Sequence, residues 1–281
     1  MSEAAVGTGL RRVRGPSAVG GGWRRFFDLL FLIAATDFKK TYFGTVLGYV
    51  WSLARPLMLF AVLLAVFTQI FRIGSGVTDY PVLLLLNIVM FGFFQEATFA
   101  AVTSVVAREG IVRKTQFPRL VIPVAVVLTA LFNLGLNLVA VLIFLFAFGV
   151  DPTWTWLLFP VILGLLLVFT VAVSMLLSSL YVRFRDVAII WTVLVTVLFY
   201  GTPVLYPIEI VPETVKDVIH LNPLTPIFEQ MRTWIIDPAA PGAAEAADGL
   251  LLAAPIALYL AICGLAVWVF NREAPRIAEE L

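Results

Sequence analysis

The sequence predicts an all-α integral membrane protein with six transmembrane helices, an N-terminal interfacial amphipathic helix and two short re-entrant helices before the last span. Three observations lead to this prediction. The chain of 281 residues is 61% hydrophobic and only 13% charged, whereas about a quarter of a soluble domain is usually charged. Its apolar residues form runs long enough for a helix to cross the hydrocarbon core, which takes about 20 residues. Its basic residues are concentrated in alternate connecting segments.

The N-terminal region divides into two parts. Residues 1–22 are rich in Gly, Ala, Ser and Arg, a composition that predicts a flexible segment. Residues 23–43 predict an amphipathic helix in the cytoplasmic interface, because apolar side chains recur at the helical period and most charged ones lie opposite. A helix on the solvent side that packs against a partner is the alternative. The apolar positions are Phe26, Phe27, Leu30, Phe31, Ile33, Ala34 and Phe38.

Six apolar runs within residues 44–271 predict the transmembrane domain. In the first run, Arg55 stands beside Pro56, which predicts a kink near the cytoplasmic surface. Residues 272–281 follow as a tail. The runs are 46–71, 81–107, 121–148, 154–180, 187–205 and 250–270.

The positions of Lys and Arg predict the orientation of the chain. Sixteen of the 19 lie in segments on the same side of the membrane as the termini, and only Arg72, Lys216 and Arg232 lie on the other side. Basic residues accumulate in cytoplasmic segments. Both termini are therefore expected in the cytoplasm.

The outer segment 201–237 is acidic and rich in proline. Two pieces of it predict short helices, at 213–220 and at 226–236, the second with Thr225 as N-cap and Pro226 in the first turn. An apolar face on the second piece indicates helices that re-enter the outer membrane surface, where irregular backbone needs protein or a wet cavity beside it. A plain surface loop is the alternative. The apolar face comprises Ile227, Phe228, Met231, Trp234 and Ile235.

The chain lacks the patterns of several kinds of catalytic site. It contains no GxxxxGK[ST] loop, so it has no P-loop for a nucleotide triphosphate. One histidine, His220, one cysteine, Cys263, and no clustered carboxylates predict no metal site. No GxSxG nucleophile elbow occurs either. We therefore expect a protein without catalytic residues of its own.

Five separate stretches resemble the membrane subunits of ABC exporters for lipid-linked polysaccharides, the O-antigen, teichoic-acid and galactan group. They are "TDFKKTYFGTVLGYVWSLARPL", "VRKTQFPRLVIP", "YVRFRDV", "TPVLYPIEIVP" and "NPLTPIFEQMR". They appear in the order and spacing of that family, and the resemblance covers residues 23–271. It implies a homodimer in the bacterial cytoplasmic (inner) membrane with a conduit between the protomers. It also implies a separate P-loop ATPase in two copies, which binds the ATP and Mg that this chain cannot bind.

The resemblance implies an ATPase-coupling role for two cytoplasmic segments. The first, 108–120, follows the second span and has charges that keep it out of lipid and apolar side chains that can enter a cleft on a partner. The second is the turn "RFRD". Simple anchoring by positive charge is the alternative for the first segment. The coupling residues are Arg108, Glu109, Ile111, Val112, Arg113, Lys114, Phe117, Arg119, Arg183, Arg185 and Asp186.

Polar and aromatic residues of the spans are candidates for lining the pathway of a glycan. Several lie on one side of the second span, and Glu96 stands beside them near mid-membrane, where a carboxylate indicates function or a hydrogen-bonded structural role. Aromatic rings can stack on sugar faces, although core packing or lipid contact is the alternative. The candidates are Asn87, Phe91, Phe94, Gln95, Glu96, Thr98, Tyr200 and Tyr206.

Three other functions remain open at this point. An ABC exporter of another lipid or of a drug would share the overall architecture. An ion-coupled secondary transporter would need several ionisable groups inside the membrane, whereas only Glu96 lies deep. A membrane-embedded transferase would need a cluster of acids or histidines at one membrane face.

Overall fold

The structure is a computed structural model that describes residues 22–42, 48, 50–71, 79–110, 118–247 and 249–273. Within that part of the chain all regular elements are helical, and no strand occurs. We number the α-helices in chain order. They are α1 (Trp23–Tyr42), α2 (Val50–Ala65), α3 (Tyr80–Ala107), α4 (Val121–Ala147), α5 (Phe159–Arg183), α6 (Val187–Tyr200), α7 (Glu213–His220), α8 (Thr225–Ile235), α9 (Ala243–Ala246) and α10 (Gly249–Glu273).

Three short helical turns of other types complete these elements. A π-helical turn, Val66–Ile70, continues α2, and a 3-10 turn, Trp154–Leu158, leads into α5. A further 3-10 turn, Ile208–Ile210, lies between α6 and α7.

Five of the six predicted spans are helices long and apolar enough to cross a membrane. They are Val50–Ile70, Tyr80–Ala107, Val121–Ala147, Trp154–Arg183 and Leu251–Glu273. The remaining run, predicted at 187–205, is different. Its helix α6 has 14 residues and ends at Tyr200, so at 1.5 Å per residue it is about 21 Å long, less than the roughly 30 Å of a hydrocarbon core. The helix therefore ends five residues earlier than predicted, at Tyr200 instead of residue 205.

The central element of the fold is α3. Its apolar residues point in all directions, which is typical of a helix surrounded by others, and it packs against α2, α4, α5 and α6. By contrast, only 6% of the apolar stretch of α2 and 11% of that of α10 is buried. These two helices therefore present most of their apolar surface to lipid or to another chain.

The predicted N-terminal helix forms and packs along α4. Phe26, Leu30 and Ala34, spaced four residues apart, are buried against Val121 and Ala125. Other large apolar side chains of α1 are open to the surroundings, with Trp23 68% and Leu32 63% exposed. The helix thus has two apolar surfaces, one against α4 and one open.

The two predicted outer helices also form, with one correction. Helix α7 has the predicted bounds, and α8 buries Ile227, Phe228, Met231 and Ile235 as its amphipathic pattern predicts. However, Thr225 is the first residue of α8 and not its cap. Its hydroxyl donates to the carbonyl of Ile219 at 2.7 Å, because the tight turn after α7 brings that carbonyl within reach.

Candidate functional site

The first predicted coupling segment, 108–120, lies partly within the described residues. Arg108 donates from Nη2 to Oδ2 of Asp37, and this ion pair joins the end of α3 to α1. Glu109 is half-buried, and Arg119 is only 4% exposed. Arg119 is therefore packed inside the chain in this conformation. The predicted coupling residues outside the described part are Ile111, Val112, Arg113, Lys114 and Phe117.

The second predicted coupling turn lies between α5 and α6 and is open to solvent. Arg183, Arg185 and Asp186 are all exposed. The guanidinium of Arg183 lies 5.5 Å from the ring centre of Phe184, and that of Arg185 lies 4.9 Å from the ring centre of Tyr181. Such cation–π contacts hold arginine side chains in place while their N–H groups stay available. The turn can thus offer hydrogen-bond donors to a partner.

A cavity of about 390 Å³ lies between α1, α3 and α4, within the usual size range of ligand pockets. Glu96 lines it, and Asn133 of α4 donates from Nδ2 to Oε1 of Glu96. The carboxylate at mid-span therefore faces a polar cavity, as intramembrane charges usually do. The other lining residues are Asp37, Thr41, Ala100, Thr103, Ser104, Ala107, Arg108, Val126, Thr129 and Ala130.

Four of the predicted pathway residues are buried in the core of the single chain. Phe91 and Phe94 pack against each other with ring centres 5.8 Å apart, and each is at most 1% exposed. Thr98 accepts a hydrogen bond from Nε1 of Trp191 at 3.1 Å. Asn87 is also buried. In this conformation these side chains stabilise the packing of α3, and their contact with cargo stays a prediction.

The other pathway candidates are more accessible. Gln95 is half-buried, and Glu96 is exposed within the single chain. Tyr200, at the end of α6, is 61% exposed. The hydroxyl of Tyr206 donates to the carbonyl of Tyr200 at 2.7 Å. These residues could contact a ligand without a change in the core.

Side chains of α3 and of the turn between α7 and α8 hold the loop after α6 in place. Asn87 donates from Nδ2 to the carbonyls of Pro203 and Val204, both at 3.1 Å. The hydroxyl of Tyr80 donates to the carbonyl of Leu205 at 2.8 Å. On the other side of the loop, Asn222 donates to the carbonyl of Gly201 at 3.1 Å and to Oγ1 of Thr202 at 2.7 Å. The loop is thereby fixed to α3 and to the turn between α7 and α8.

Charged residues of the outer region are paired with one another. Nη1 of Arg232 donates to both carboxylate oxygens of Glu209, at 2.7 and 2.8 Å. His220 and Glu229 lie in the interior, with Nδ1 of His220 3.8 Å from Oε1 of Glu229. Burial, and secondarily the charge of Glu209, raises the pKa of Glu229 to about 8. Burial also lowers the pKa of His220, so both side chains are favoured in their neutral forms.

A small cavity of about 10 Å³ adjoins this outer cluster. Glu229 and Arg232 of α8 line it from one side, and Asn87 of α3 lines it from another. Within the described residues, no group of three or more His, Cys, Asp or Glu side chains is close enough to hold a metal ion.

Comparison with known proteins decides the family. The model of the ABC-2 type transporters matches residues 28–236, about three quarters of the chain. This chain belongs to the ABC-2 type transporter family. The resemblance found in the sequence is thus confirmed at the family level, and the chain is a multi-pass membrane transport subunit. The family implies an ABC ATPase as its partner.

Three relatives of this ABC-2 permease carry the name "O-antigen export system permease protein RfbA". One from Klebsiella pneumoniae is 31% identical over 207 residues, which cover 73% of this chain and 79% of the relative. A second from Klebsiella pneumoniae is 30% identical over 207 residues, with the same coverage. One from Myxococcus xanthus is 28% identical over 251 residues, which cover 89% of this chain and 94% of the relative.

The sequence analysis of the permease missed the contacts of its outer region. It treated His220 as isolated, whereas the structure places it opposite Glu229. These residues stand nine positions apart with a turn between them, and no periodicity connects them across that turn. Glu229 lies on the side of α8 opposite its apolar face, where a carboxylate is expected to meet solvent, so the sequence pattern gave no signal of its burial.

Proposed function

We propose that this chain is the transmembrane subunit of an ATP-driven exporter that moves a lipid-linked polysaccharide across the bacterial cytoplasmic (inner) membrane. The single observation that carries the proposal is the match to O-antigen export permeases over most of both chains, up to 94% of the relative. A match of that extent covers the transmembrane helices and the outer region together. The cargo class is inferred from the names of these relatives.

The energy comes from a separate P-loop ATPase, present in two copies. The absence of a GxxxxGK[ST] loop from the sequence supports the assignment of ATP hydrolysis to a separate protein. ATP and Mg are bound by the ATPase, and its movement reaches the permease through residues 108–120 and the turn at Arg183, Arg185 and Asp186. The exposure of that turn supports a contact with another protein.

The permease works as a homodimer with the conduit between its protomers. The apolar surfaces of α2 and α6 support this arrangement, because Val62 is 61% and Ile189 is 70% exposed in the single chain. Each protomer has six spans, with α6 and the loop 201–205 together forming the fifth. Helix α1 lies in the cytoplasmic interface, both termini are cytoplasmic, and α7 and α8 re-enter the outer surface of the membrane. The excess of Lys and Arg on the side of the termini supports this orientation.

Reconstitution of the permease with its ATPase tests the proposal. The two proteins are incorporated into proteoliposomes, and ATP hydrolysis is measured with a panel of lipid-linked saccharides and with the carrier lipid alone. We expect saccharide-bearing lipids to stimulate hydrolysis severalfold over the carrier lipid. Equal stimulation by unrelated lipids or drugs would contradict a polysaccharide exporter, and transport by the permease without any ATPase would contradict an ATP-driven one.

A further inference from the structure

The buried side chains of His220 and Glu229 face each other across the outer hairpin, which we define as α7, α8 and the turn between them. His220 ends α7 and is 3% exposed, while Glu229 lies in α8 and is 6% exposed. Their Nδ1 and Oε1 atoms are 3.8 Å apart. A movement of less than about 1 Å would bring these atoms within hydrogen-bond distance.

The remaining polar atoms of the two side chains have no other partner. Both carboxyl oxygens of Glu229 and Nε2 of His220 are shielded from solvent and make no hydrogen bond. Buried polar groups are almost always hydrogen-bonded in native proteins. The contact with Nδ1 of His220 is therefore the hydrogen bond within reach of the carboxyl group of Glu229, while Nε2 of His220 stays without a partner.

The number of protons on this pair decides whether a buried charge is left uncompensated. With no proton, Glu229 is a carboxylate beside a neutral imidazole. With two protons, His220 is an imidazolium beside a neutral acid. Both states leave one buried charge without a counter-charge in the pair, which is costly. With one proton, the pair is either two neutral partners or a compensated ion pair.

The surrounding charges do not remove this dependence on one proton. Three act on Glu229, namely Glu209, Lys216 and Arg232, and three act on His220, namely Lys216, Asp217 and Glu213. Nη1 of Arg232 donates to the carboxylate of Glu209, whereas its Nε is buried without a hydrogen bond. Glu245 of α9, which also packs on α8, accepts a hydrogen bond from the backbone of Gly242 at 3.4 Å. The outer halves of α5 and α10 carry no charged residue within their described parts.

We propose that His220 and Glu229 form a one-proton site that holds α7 against α8, so that the packing of the outer hairpin depends on pH on that side of the membrane. Near pH 7, the carboxyl group of Glu229 carries the proton and can donate it to Nδ1 of neutral His220. When that proton is lost to solvent, the buried carboxylate is stabilised only by reaching water. The outer hairpin then opens.

The direction of the pH dependence follows from the two pKa values. Since the pKa of Glu229 is raised to about 8, the packed hairpin favours the protonated acid and loses stability as the pH rises towards 8. Since the pKa of His220 is lowered from 6.5, the packed hairpin favours neutral imidazole and loses stability as the pH falls below 6.5. Between pH 6.5 and 8 the contribution of Glu229 dominates, and the equilibrium constant for opening rises about tenfold per pH unit.

Opening of the outer hairpin would disturb its packing against the core of the permease. Phe228 of α8 lies 6.4 Å from the ring centre of Phe91 of α3. Nε1 of Trp156, in the turn before α5, donates to the carbonyl of Ile235 at 2.9 Å. The one-proton site is therefore connected to the outer ends of two spans.

Hydrogen exchange on the purified full-length permease tests the site. Protection of α7 and α8, corrected for intrinsic exchange and referenced to α10, is measured at pH 6.5 and 7.5. We expect about a tenfold loss of protection in the wild type. Glu229→Gln, which stays neutral, should show no loss. Asp151→Asn is the control, because that carboxylate is exposed between α4 and α5 and does not act on either member of the pair, so this variant should respond like the wild type.

Two outcomes would overturn the proposal. One is a wild-type hairpin whose referenced protection is equal at the two pH values, a result that stands even if the variants do not fold. The other is a pH response that persists in Glu229→Gln.

Infrared spectra supply a second measurement. A C=O band of a protonated carboxyl group should be present in the wild type at pH 6.5 and missing in Glu229→Gln. In the wild type this band should disappear as the pH is raised through about 8. These measurements need neither ATPase nor cargo, so their failure is distinct from failure of the proposed transport function.

Discussion

Charged residues on the two sides of the permease differ in where their partners lie. At the turn between α5 and α6, which we propose lies in the cytoplasm, Arg183, Arg185 and Asp186 are exposed. In the outer region, by contrast, Arg232 is bound by Glu209 and His220 faces Glu229. On our proposal the charges of the turn at 183–186 serve another protein, whereas Arg108, which pairs with Asp37, and the charges of the segment 201–237 organise the chain itself. Substitutions on the cytoplasmic side should therefore impair coupling to the ATPase, whereas substitutions on the outer side should lower the stability of the permease.

The largest expected effect is on the cytoplasmic side. In the double variant Arg113→Glu and Lys114→Glu, reversed charge should oppose docking of the ATPase while leaving membrane insertion intact. We expect at least about a tenfold loss of co-purified ATPase, since unfavourable charge contacts at an interface cost several kcal/mol. Quantitative pull-down from solubilised membranes measures it.

A charge reversal elsewhere on the same side controls for net charge. Lys39 and Lys40 are exposed in α1, and their double Glu variant should bind the ATPase normally. If the Arg113 and Lys114 variant also binds normally, the assignment of residues 108–120 as the coupling segment is wrong.

The next effect is on outer-side stability. Asn87→Leu removes both hydrogen bonds to the carbonyls of Pro203 and Val204 and leaves these acceptors buried. An unsatisfied buried acceptor costs about 1–3 kcal/mol, so the melting temperature of the purified permease should fall by several degrees. Thr192→Val is the control, because its hydroxyl is exposed and bonds only within α6. Equal melting temperatures would show that Asn87 does not hold the loop.

A smaller effect is expected at the second cytoplasmic turn. Replacing both Arg183 and Arg185 with Ala removes two charges and two cation–π contacts of about 0.5–1 kcal/mol each. Substrate-stimulated ATP hydrolysis in the reconstituted complex should fall about two- to fivefold, while the melting temperature of the permease changes little. A large drop in melting temperature with intact stimulation of ATP hydrolysis would contradict a coupling role. Arg183 and Arg185 would then stabilise the permease itself.

The smallest effect is expected for Glu209→Gln on the outer surface. The Glu209 side chain is 40% exposed, although that of its partner Arg232 is only 14% exposed, and an ion pair open to solvent on one side contributes about 0–1 kcal/mol. Melting temperatures measured at low and high salt should differ less for this variant than for the wild type, since salt screens the lost pair. A destabilisation as large as that of Asn87→Leu would mean that the ion pair with Arg232 contributes strongly to holding α8 in place.

Much of the fold could be predicted from the sequence because hydrophobic length and periodicity are local properties. Five spans, the helix at the N-terminus and both outer helices were predicted within a few residues. The end of α6 was placed at 205 instead of 200. The pattern failed there because "TPVLYP" is as apolar as a span. Its backbone leaves the helix because Pro203 has no N–H for a helical hydrogen bond, and Asn87 and Tyr80 then bind its carbonyls.

The candidate sites were less predictable than the fold. Charge placement indicated the cytoplasmic segments, and these need no tertiary contact to be recognised. The aromatic side chains of α3 could not be assigned in the same way. The sequence is compatible with Phe91 and Phe94 lining the glycan pathway and with their packing in the core. Only the packing of α3 against its neighbours buries them.

The sequence by itself determined that this protein is a helical membrane protein, because an apolar run long enough to cross a membrane is a local property, and its motifs determined that it belongs to the ABC-2 family. Only the tertiary structure decided that Asn87 fastens the loop after α6 and that Glu229 meets His220. Those contacts join residues far apart in the chain or separated by a turn. Their energy comes from the exclusion of water, which exists only once the helices are packed.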